Sequence, residues 1–304
     1  MIATIPLIIV STLIIFITMS KKTDIINNLI LIGALLVSII YLIISDTINY
    51  AAQLFLIVAL SVIVPIVVIL IIIIDYTSKL SRKEYASSYM DEIRRKAFHF
   101  VGFLVFLPRL IFWAPYERAI TGFNNIFGTN INTLGFNESG YISFVIIIIS
   151  YPLLLLFTIT EFIRLNYKND LFISLVRENE SNRIASYLHT TTSIFIISLL
   201  FYPYDAIVCA AIAMGLLADL AAGIVGKKFH RIAYKDRSLE GCLANFAAGS
   251  IVGYFFVGTI AILVAFIIAI IDFLNGALEL QLNDNFMFPL MTALLLYIFI
   301  LKPF

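Results

Sequence analysis

The chain has 304 residues, 62% of them hydrophobic and only 13% charged, and its mean hydropathy is +1.03. Soluble domains carry about 45–50% apolar residues, so this composition excludes an ordinary water-soluble enzyme. The net charge of +1 offers no electrostatic case for nucleic acid or another acidic partner.

Apolar segments fall at about 2–19, 25–45, 53–74, 97–115, 141–163, 187–202, 204–226, 241–257, 259–275 and 286–302. A helix of ~20 residues crosses the hydrocarbon core. The expected fold is therefore all-α, a polytopic transmembrane helix bundle of about ten helices. No alternating barrel pattern occurs. The first segment lacks a basic leader, and Lys21 and Lys22 follow it. It reads as a retained helix rather than a signal peptide.

Phe201-Tyr-Pro-Tyr-Asp205 signals a tight turn. Gly253 and Gly258 offer a break in the long apolar stretch from Gly241 to Asn275. Cys209 and Cys242 stand in apolar surroundings and read as small hydrophobes. Two regions are expected: a three-helix membrane segment over 1–75, and a membrane domain carrying the chemistry over 76–304.

Positive charge sorts by loop. The loop near 20–24 holds Lys21 and Lys22; the next charged loop holds Lys79, Arg82, Lys83, Arg94, Arg95 and Lys96. Arg164, Lys168, Arg177 and Arg183 fall in a third, and Lys227, Lys228, Arg231, Lys235 and Arg237 in a fourth. With ten helices these loops share one side, which the positive-inside rule makes cytoplasmic. The loop with Glu279, Asn283, Asp284 and Asn285 falls on that side too.

Four clusters on that face could carry chemistry. In Asp91-Glu-Ile-Arg-Arg-Lys-Ala-Phe-His99, the residues Arg94, Arg95, Lys96 and His99 crowd about one and a half helical turns at a membrane mouth. Arginine grips phosphate bidentately and lysine adds a point charge; the plain alternative is a positive-inside anchor. In Ala218-Asp-Leu-Ala-Ala-Gly-Ile-Val-Gly226-Lys-Lys228, Asp219 lies about two turns inside an apolar helix. A carboxylate there costs ~2.5–3.5 kcal/mol on insertion scales and calls for a partner or a wet cavity. Beside phosphates it is a natural Mg²⁺ ligand. Gly215, Asp219, Ala222 and Gly226 form one helical stripe, suited to close helix packing or to close approach of a ligand.

In Tyr234-Lys-Asp-Arg-Ser-Leu-Glu-Gly241, Lys235 and Arg237 can bind phosphate, and Ser238 can cap the next helix with Gly241 at N3. Asn283-Asp-Asn-Phe-Met-Phe-Pro289 reads alone as a turn and helix start. His189 and His230 read as structural or surface residues. No P-loop, zinc-protease helix, nucleophile elbow or dinucleotide fingerprint is present.

Taken in order over roughly 90–302, these four motifs resemble the dolichol kinase and phytol kinase family. That family of CTP-using lipid kinases includes a yeast-type diacylglycerol kinase and is related to phosphatidate cytidylyltransferases. The resemblance implies transfer of the γ-phosphate of CTP to a long-chain isoprenoid alcohol, with Mg²⁺. It implies phosphate binding by Arg94, Arg95, Lys96, Lys227, Lys228 and Lys235, a metal held by Asp219 and Asp284, and nucleotide approach at Gly226. Lys235, Ser238, Glu240 and Gly241 match the family's lysine-serine-glutamate-glycine motif, and Asp284 with Asn285 its acidic turn. Asp219, Glu240, Asp284 and His99 are the candidates for receiving the hydroxyl proton.

Ala218 stands where the family often has glycine, His230 replaces a glycine after Phe229, and Asp236-Arg237 separates the lysine from Ser238. The Lys-Asp-x-Ser start is similar to that of the cytidylyltransferases, so a CDP-lipid synthase is the nearest alternative. A membrane transporter is the alternative of another class, although no internal repeat is visible. A homodimer stays open. Abundant isoleucine and no retention signal point to a prokaryotic, archaeal, cell membrane with the active face cytoplasmic.

Overall fold

The structure is a computed structural model that describes residues 5–21, 24–44, 141–167, 176, 180–229, 232–235, 237–278 and 282–301. Eight α-helices and one two-stranded hairpin are found among them. They are α1 (Ile5–Lys21), α2 (Ile25–Ile44), α3 (Tyr141–Tyr167), α4 (Ser186–Leu200) and α5 (Asp205–Lys228). The hairpin of β1 (Ala233–Tyr234) and β2 (Arg237–Ser238) follows, then α6 (Leu239–Val257), α7 (Ile260–Ala277) and α8 (Asp284–Leu301). Each helix lies on one of the expected apolar segments. The expected spans at 53–74 and 97–115 lie outside the described residues, so eight helices rather than ten are described.

Among the described residues, five helices are long and apolar enough to cross a membrane: Ile142–Asn166, Asp205–Lys228, Leu239–Val257, Ile260–Ala277 and Asp284–Leu301. The architecture is compatible with an all-α membrane bundle. Leu7–Met19, Ile25–Tyr41 and Ser186–Leu200 are shorter apolar helices. Exposed Leu243, Ile251, Tyr254 and Phe255 on α6, and Leu263 and Phe266 on α7, suit contact with lipid.

Helix α4 is the hub. Thirteen of its 15 residues are buried, as expected of a helix covered on every side. Its buried hydroxyls need partners where water is absent, and they take carbonyls of their own helix. Thr190, Thr191 and Thr192 donate to the oxygens of Ser186, Tyr187 and Leu188 at 3.0, 2.9 and 2.8 Å. One apolar core joins α1, α2, α3 and α4, with Leu7, Leu31, Leu154 and Leu188 at its centre. The other joins α5, α7 and α8 through Ala211, Val264 and Leu296.

The two ends of the bundle are fixed differently. At one, the carboxylate of Asp205 accepts from the Ile142 and Ser143 amides at 3.2 and 2.9 Å and from Ser143 Oγ at 2.6 Å. It thereby supplies the orphan amides at the start of α3 while sitting in the first turn of α5. At the other end the α2 and α8 starts meet: the Asn283 amide donates to Asn27 Oδ1 at 2.9 Å. The hairpin lies at that end, between α5 and α6.

Candidate functional site

Helices α5 and α6 pack closely, and small residues allow it. Gly241, Asn245, Gly249 and Gly253 recur every fourth residue and are the buried positions of α6. A Cβ at Gly226 would lie 3.4 Å from the Gly241 Cα, and one at Gly249 3.6 Å from the Ala218 Cβ. Gly226 and Gly241 therefore face each other across a helix contact. Gly215, on the same expected stripe, faces α8 instead: its missing side chain is replaced by the Pro289 ring.

The hairpin then turns tightly from β1 into β2, pairing Ala233 with Ser238 and Tyr234 with Arg237. Lys235 takes the left-handed conformation at φ 53° that such a turn demands. Ser238 caps α6 as expected, accepting from the Gly241 amide at 3.1 Å. The Glu240 carboxylate receives the Ile232 amide at 3.1 Å and so ties the hairpin entry to the first turn of α6. Lys227 and Lys228 close the last turn of α5, where a cation complements the helix dipole. Lys228 Nζ lies 5.4 Å from the Phe229 ring centroid.

Arg237 is carried inward by this geometry. Its stem rests on Gly276, whose Cβ would collide with the Arg237 Cγ. Its Nη2 lies 2.8 Å from Asp272 Oδ1 on α7 and 3.1 Å from Asp284 Oδ2 on α8. Burial alone would weaken the guanidinium as a base. The carboxylates of Asp272, Asp284 and Asp219 outweigh burial and raise its pKa. Asp284 also accepts from the Asn285 amide at 2.9 Å and from Asn285 Nδ2 at 3.1 Å. Asn275 holds the approach to α8, exchanging hydrogen bonds with the Leu282 backbone at 3.0 and 3.2 Å.

Beside Asp272 lies a narrow cleft of about 10 Å³, partly open to the surroundings, between α5, α6, α7 and α8. Asp219, Asn245, Asp272 and Thr292 supply its polar lining. Met214, Ala218, Gly249, Ala265, Ile268 and Phe288 supply apolar wall. Asn245 Nδ2 donates to Asp272 Oδ2 at 3.0 Å, and Thr292 Oγ1 donates to the Phe288 carbonyl at 2.7 Å.

The structure thus brings together Asp219, Ser238, Glu240, Gly241, Asp284, Asn285 and Gly226 at one end of the bundle, with Lys227, Lys228 and Lys235 around them. Arg94, Arg95, Lys96 and His99 lie outside the described residues, as does His230. Asp272 was not anticipated from sequence. Its signal was available: a carboxylate inside an apolar span carries the same insertion cost as Asp219.

A second polar network was also missed, on α3 and α4. Glu161 is fully buried and accepts from Arg164 Nε and Nη2 at 3.0 and 2.7 Å, from the Ala185 amide at 3.2 Å and from the Tyr187 hydroxyl. Arg164 also donates to the Ser181 and Arg183 carbonyls at 3.1 and 2.6 Å. Arg164, expected as a loop charge, is therefore a buried residue of α3. His189 is buried, with Nδ1 3.3 Å from the Ala185 carbonyl and Nε2 without a partner.

Among the described residues, no group of three His, Cys, Asp or Glu side chains is placed to hold a metal ion. Mg²⁺, however, is commonly held by one or two carboxylates plus substrate phosphates. Comparison with protein-family models, curated proteins and solved structures finds no match to this chain.

Proposed function

We propose that this chain is a CTP-dependent kinase of the dolichol kinase type, phosphorylating a membrane polyprenol to its polyprenyl phosphate. One observation carries the reading. The same end of the bundle gathers cations and carboxylates near a narrow cleft whose polar lining lies toward that end. Along the helices, at 1.5 Å per residue, Asp272 and Asn245 lie about 8–9 Å from the hairpin end and Asp219 about 14 Å. Gly249, Ala265 and Met214 lie about 15–21 Å in. Such a gradient suits an amphiphile with its polar head toward the charged face.

Phosphoryl transfer asks a protein for positioning and for neutralisation of phosphate charge. Lys227, Lys228 and Lys235 would bind the nucleotide phosphates, with Arg94, Arg95 and Lys96 adding to them. Asp219 and Asp284 would hold Mg²⁺, which draws negative charge from the transferring group. Both carboxylates act electrostatically on the Arg237 guanidinium. The motif order from Glu92 to Pro289 supports the lipid kinase; the apolar segments and the positive loops support ten helices with this face cytoplasmic, and the abundant isoleucine a prokaryotic membrane.

The test is an assay of purified protein with a panel of lipid alcohols and all four nucleoside triphosphates. Label from γ-labelled CTP entering the lipid supports the kinase. Label from α-labelled CTP makes the protein a CDP-lipid synthase. Solute movement in proteoliposomes, with no lipid product from any nucleotide, would sink the enzymatic reading.

A further inference from the structure

Helix α2 lies outside the 90–302 stretch that carries the motifs, yet it reaches the candidate site. Its first turn buries Asn27, only 6% exposed, in an apolar helix. A buried amide is costly unless it is hydrogen-bonded. Asn27 Nδ2 donates to Asp24 Oδ1 at 2.6 Å. Asn27 Oδ1 accepts from the Asn283 amide at 2.9 Å, across 256 positions of sequence. Asp24 stands just before α2 at φ 54°, and its carbonyl accepts from the Asn28 amide at 3.1 Å. Its carboxylate orients the Asn27 side chain toward α8.

Across this bond, Asn283 starts α8. Its carbonyl accepts from the Phe286 and Met287 amides at 3.2 and 2.9 Å. Its own N–H has no carbonyl of that helix to meet and takes its acceptor from α2. Leu282, one residue earlier, is held by Asn275 of α7. The chain is thus clamped from α2 and from α7 immediately before Asp284, whose carboxylate pairs with Arg237 at 3.1 Å. A side chain next to a fixed backbone keeps its place, whereas a helix end without outside partners frays.

We propose that Asn27 is a positioning residue for the site: through the Asn283 amide it fixes the first turn of α8, and with it Asp284 and Asn285. The inference rests on the kinase reading and brings the N-terminal helices into it. Asn27 acts on the reaction only through Asn283 and Asp284, and Asp24 sets its orientation.

The test uses the full chain in proteoliposomes, at a temperature where every variant is folded. Asn27→Ala removes the acceptor and speeds backbone hydrogen exchange over Leu282–Phe286. It lowers kcat/KM for the nucleotide about tenfold, since ~1 Å of misplacement can cost ~100-fold, and leaves the polyprenol KM unchanged. Leu31→Ala truncates a fully buried core residue one turn on. It lowers the Tm but leaves the exchange at the start of α8 and the nucleotide kinetics at wild-type values. Asn27→Asp keeps an acceptor for the Asn283 amide but sets two carboxylates together, so it behaves like Asn27→Ala. Adding Asp24→Asn restores one donor and one acceptor in exchanged positions, and asparagine tolerates the left-handed backbone. The double variant recovers wild-type exchange and kinetics.

Unchanged exchange over Leu282–Phe286 in Asn27→Ala overturns the clamp. Faster exchange with wild-type nucleotide kinetics overturns the positioning role, and so does an equal kinetic loss in Leu31→Ala, which makes the effect one of stability. Should Asn27→Ala not fold, Asn27→Asp with and without Asp24→Asn decides, and no recovery in the double variant overturns the proposal. A wild type that phosphorylates no alcohol defeats the kinase reading itself, a different result from an active wild type with silent variants.

Discussion

Arg237 Nη2 stands 2.8 Å from Asp272 Oδ1, so one hairpin residue neutralises a carboxylate inside an apolar helix. The same nitrogen reaches Asp284 at 3.1 Å, so a single amino group bridges α7 and α8. Arginine therefore fastens the hairpin to both helices and sets the charge of the cleft mouth. It does not stand free for a phosphate, as the loop sequence alone suggested.

Removing that arginine leaves Asp272 buried without a countercharge. Breaking a buried pair costs ~3–5 kcal/mol, and less here because 26% of the arginine side chain is exposed. Arg237→Ala is expected to lower the Tm in detergent and abolish turnover. Arg237→Lys restores part of both, since one ammonium can replace one Nη2. The raised arginine pKa adds stability that is complete below its ordinary value and lost only above the folded value, far above neutral pH. Stability scans from pH 7 to 10 should therefore show no loss from this bridge.

Two glycines give opposite expectations for the same substitution. Gly33, within α2, has open space where a Cβ would go. Gly33→Ala is expected to be neutral or stabilising by about 0.5–1 kcal/mol, because alanine loses less backbone entropy. At Gly215 the new Cβ would lie 2.5 Å from the Pro289 Cγ and 3.2 Å from its Cα. The proline ring has no rotamer to escape into, so Gly215→Ala should destabilise by ~1–3 kcal/mol. Thermal unfolding of both variants checks the pair, and equal shifts would contradict the α5–α8 contact.

The Glu161 network separates charge from hydrogen bonding. Arg164→Ala strands a fully buried carboxylate and releases the loop carbonyls that the guanidinium holds, at a cost of about 3–5 kcal/mol. Tyr187→Phe removes one donor to Glu161 while the arginine stays, and should cost ~1–2 kcal/mol. Glu161→Gln should fall between them. Denaturation in detergent ranks the three, and a Tyr187→Phe loss equal to that of Arg164→Ala would mean that the phenol, not the ion pair, holds this end of α4.

Much of this was legible in the sequence because membrane helices announce themselves by length and apolarity. The eight described helices lie on expected segments, and the Ser238 cap with its Gly241 partner follows from residue type and spacing. The side-chain pairings were not legible. Asp272 and Glu161 sit within apolar runs, and their partners lie 35 residues back at Arg237 and one turn on at Arg164. Nothing local distinguishes a buried, paired arginine from a loop arginine. The stripe Gly215, Asp219, Ala222, Gly226 reads in the sequence as one surface, but helix packing divides it between α6 and α8.

Lys235 offers the cleanest separation of a turn residue from a ligand. Its φ of 53° lies in the left-handed region, where a residue with a Cβ pays roughly 1–2 kcal/mol. Lys235→Gly removes that strain and the charge together. If the lysine serves only the turn, the variant gains stability and its nucleotide KM stays at the wild-type value. If the ammonium meets a phosphate, Tm still rises or holds while the nucleotide KM increases about tenfold, the scale of a 1.4 kcal/mol loss in a charge-assisted contact. Lys235→Arg keeps both the charge and the turn strain, so its KM should stay near wild type under the phosphate role. Steady-state kinetics over nucleotide concentration, beside thermal unfolding of the same preparations, distinguishes the outcomes. The expected result is the second, because Lys235 is exposed at the hairpin tip, at the end of the bundle that also carries Lys227 and Lys228.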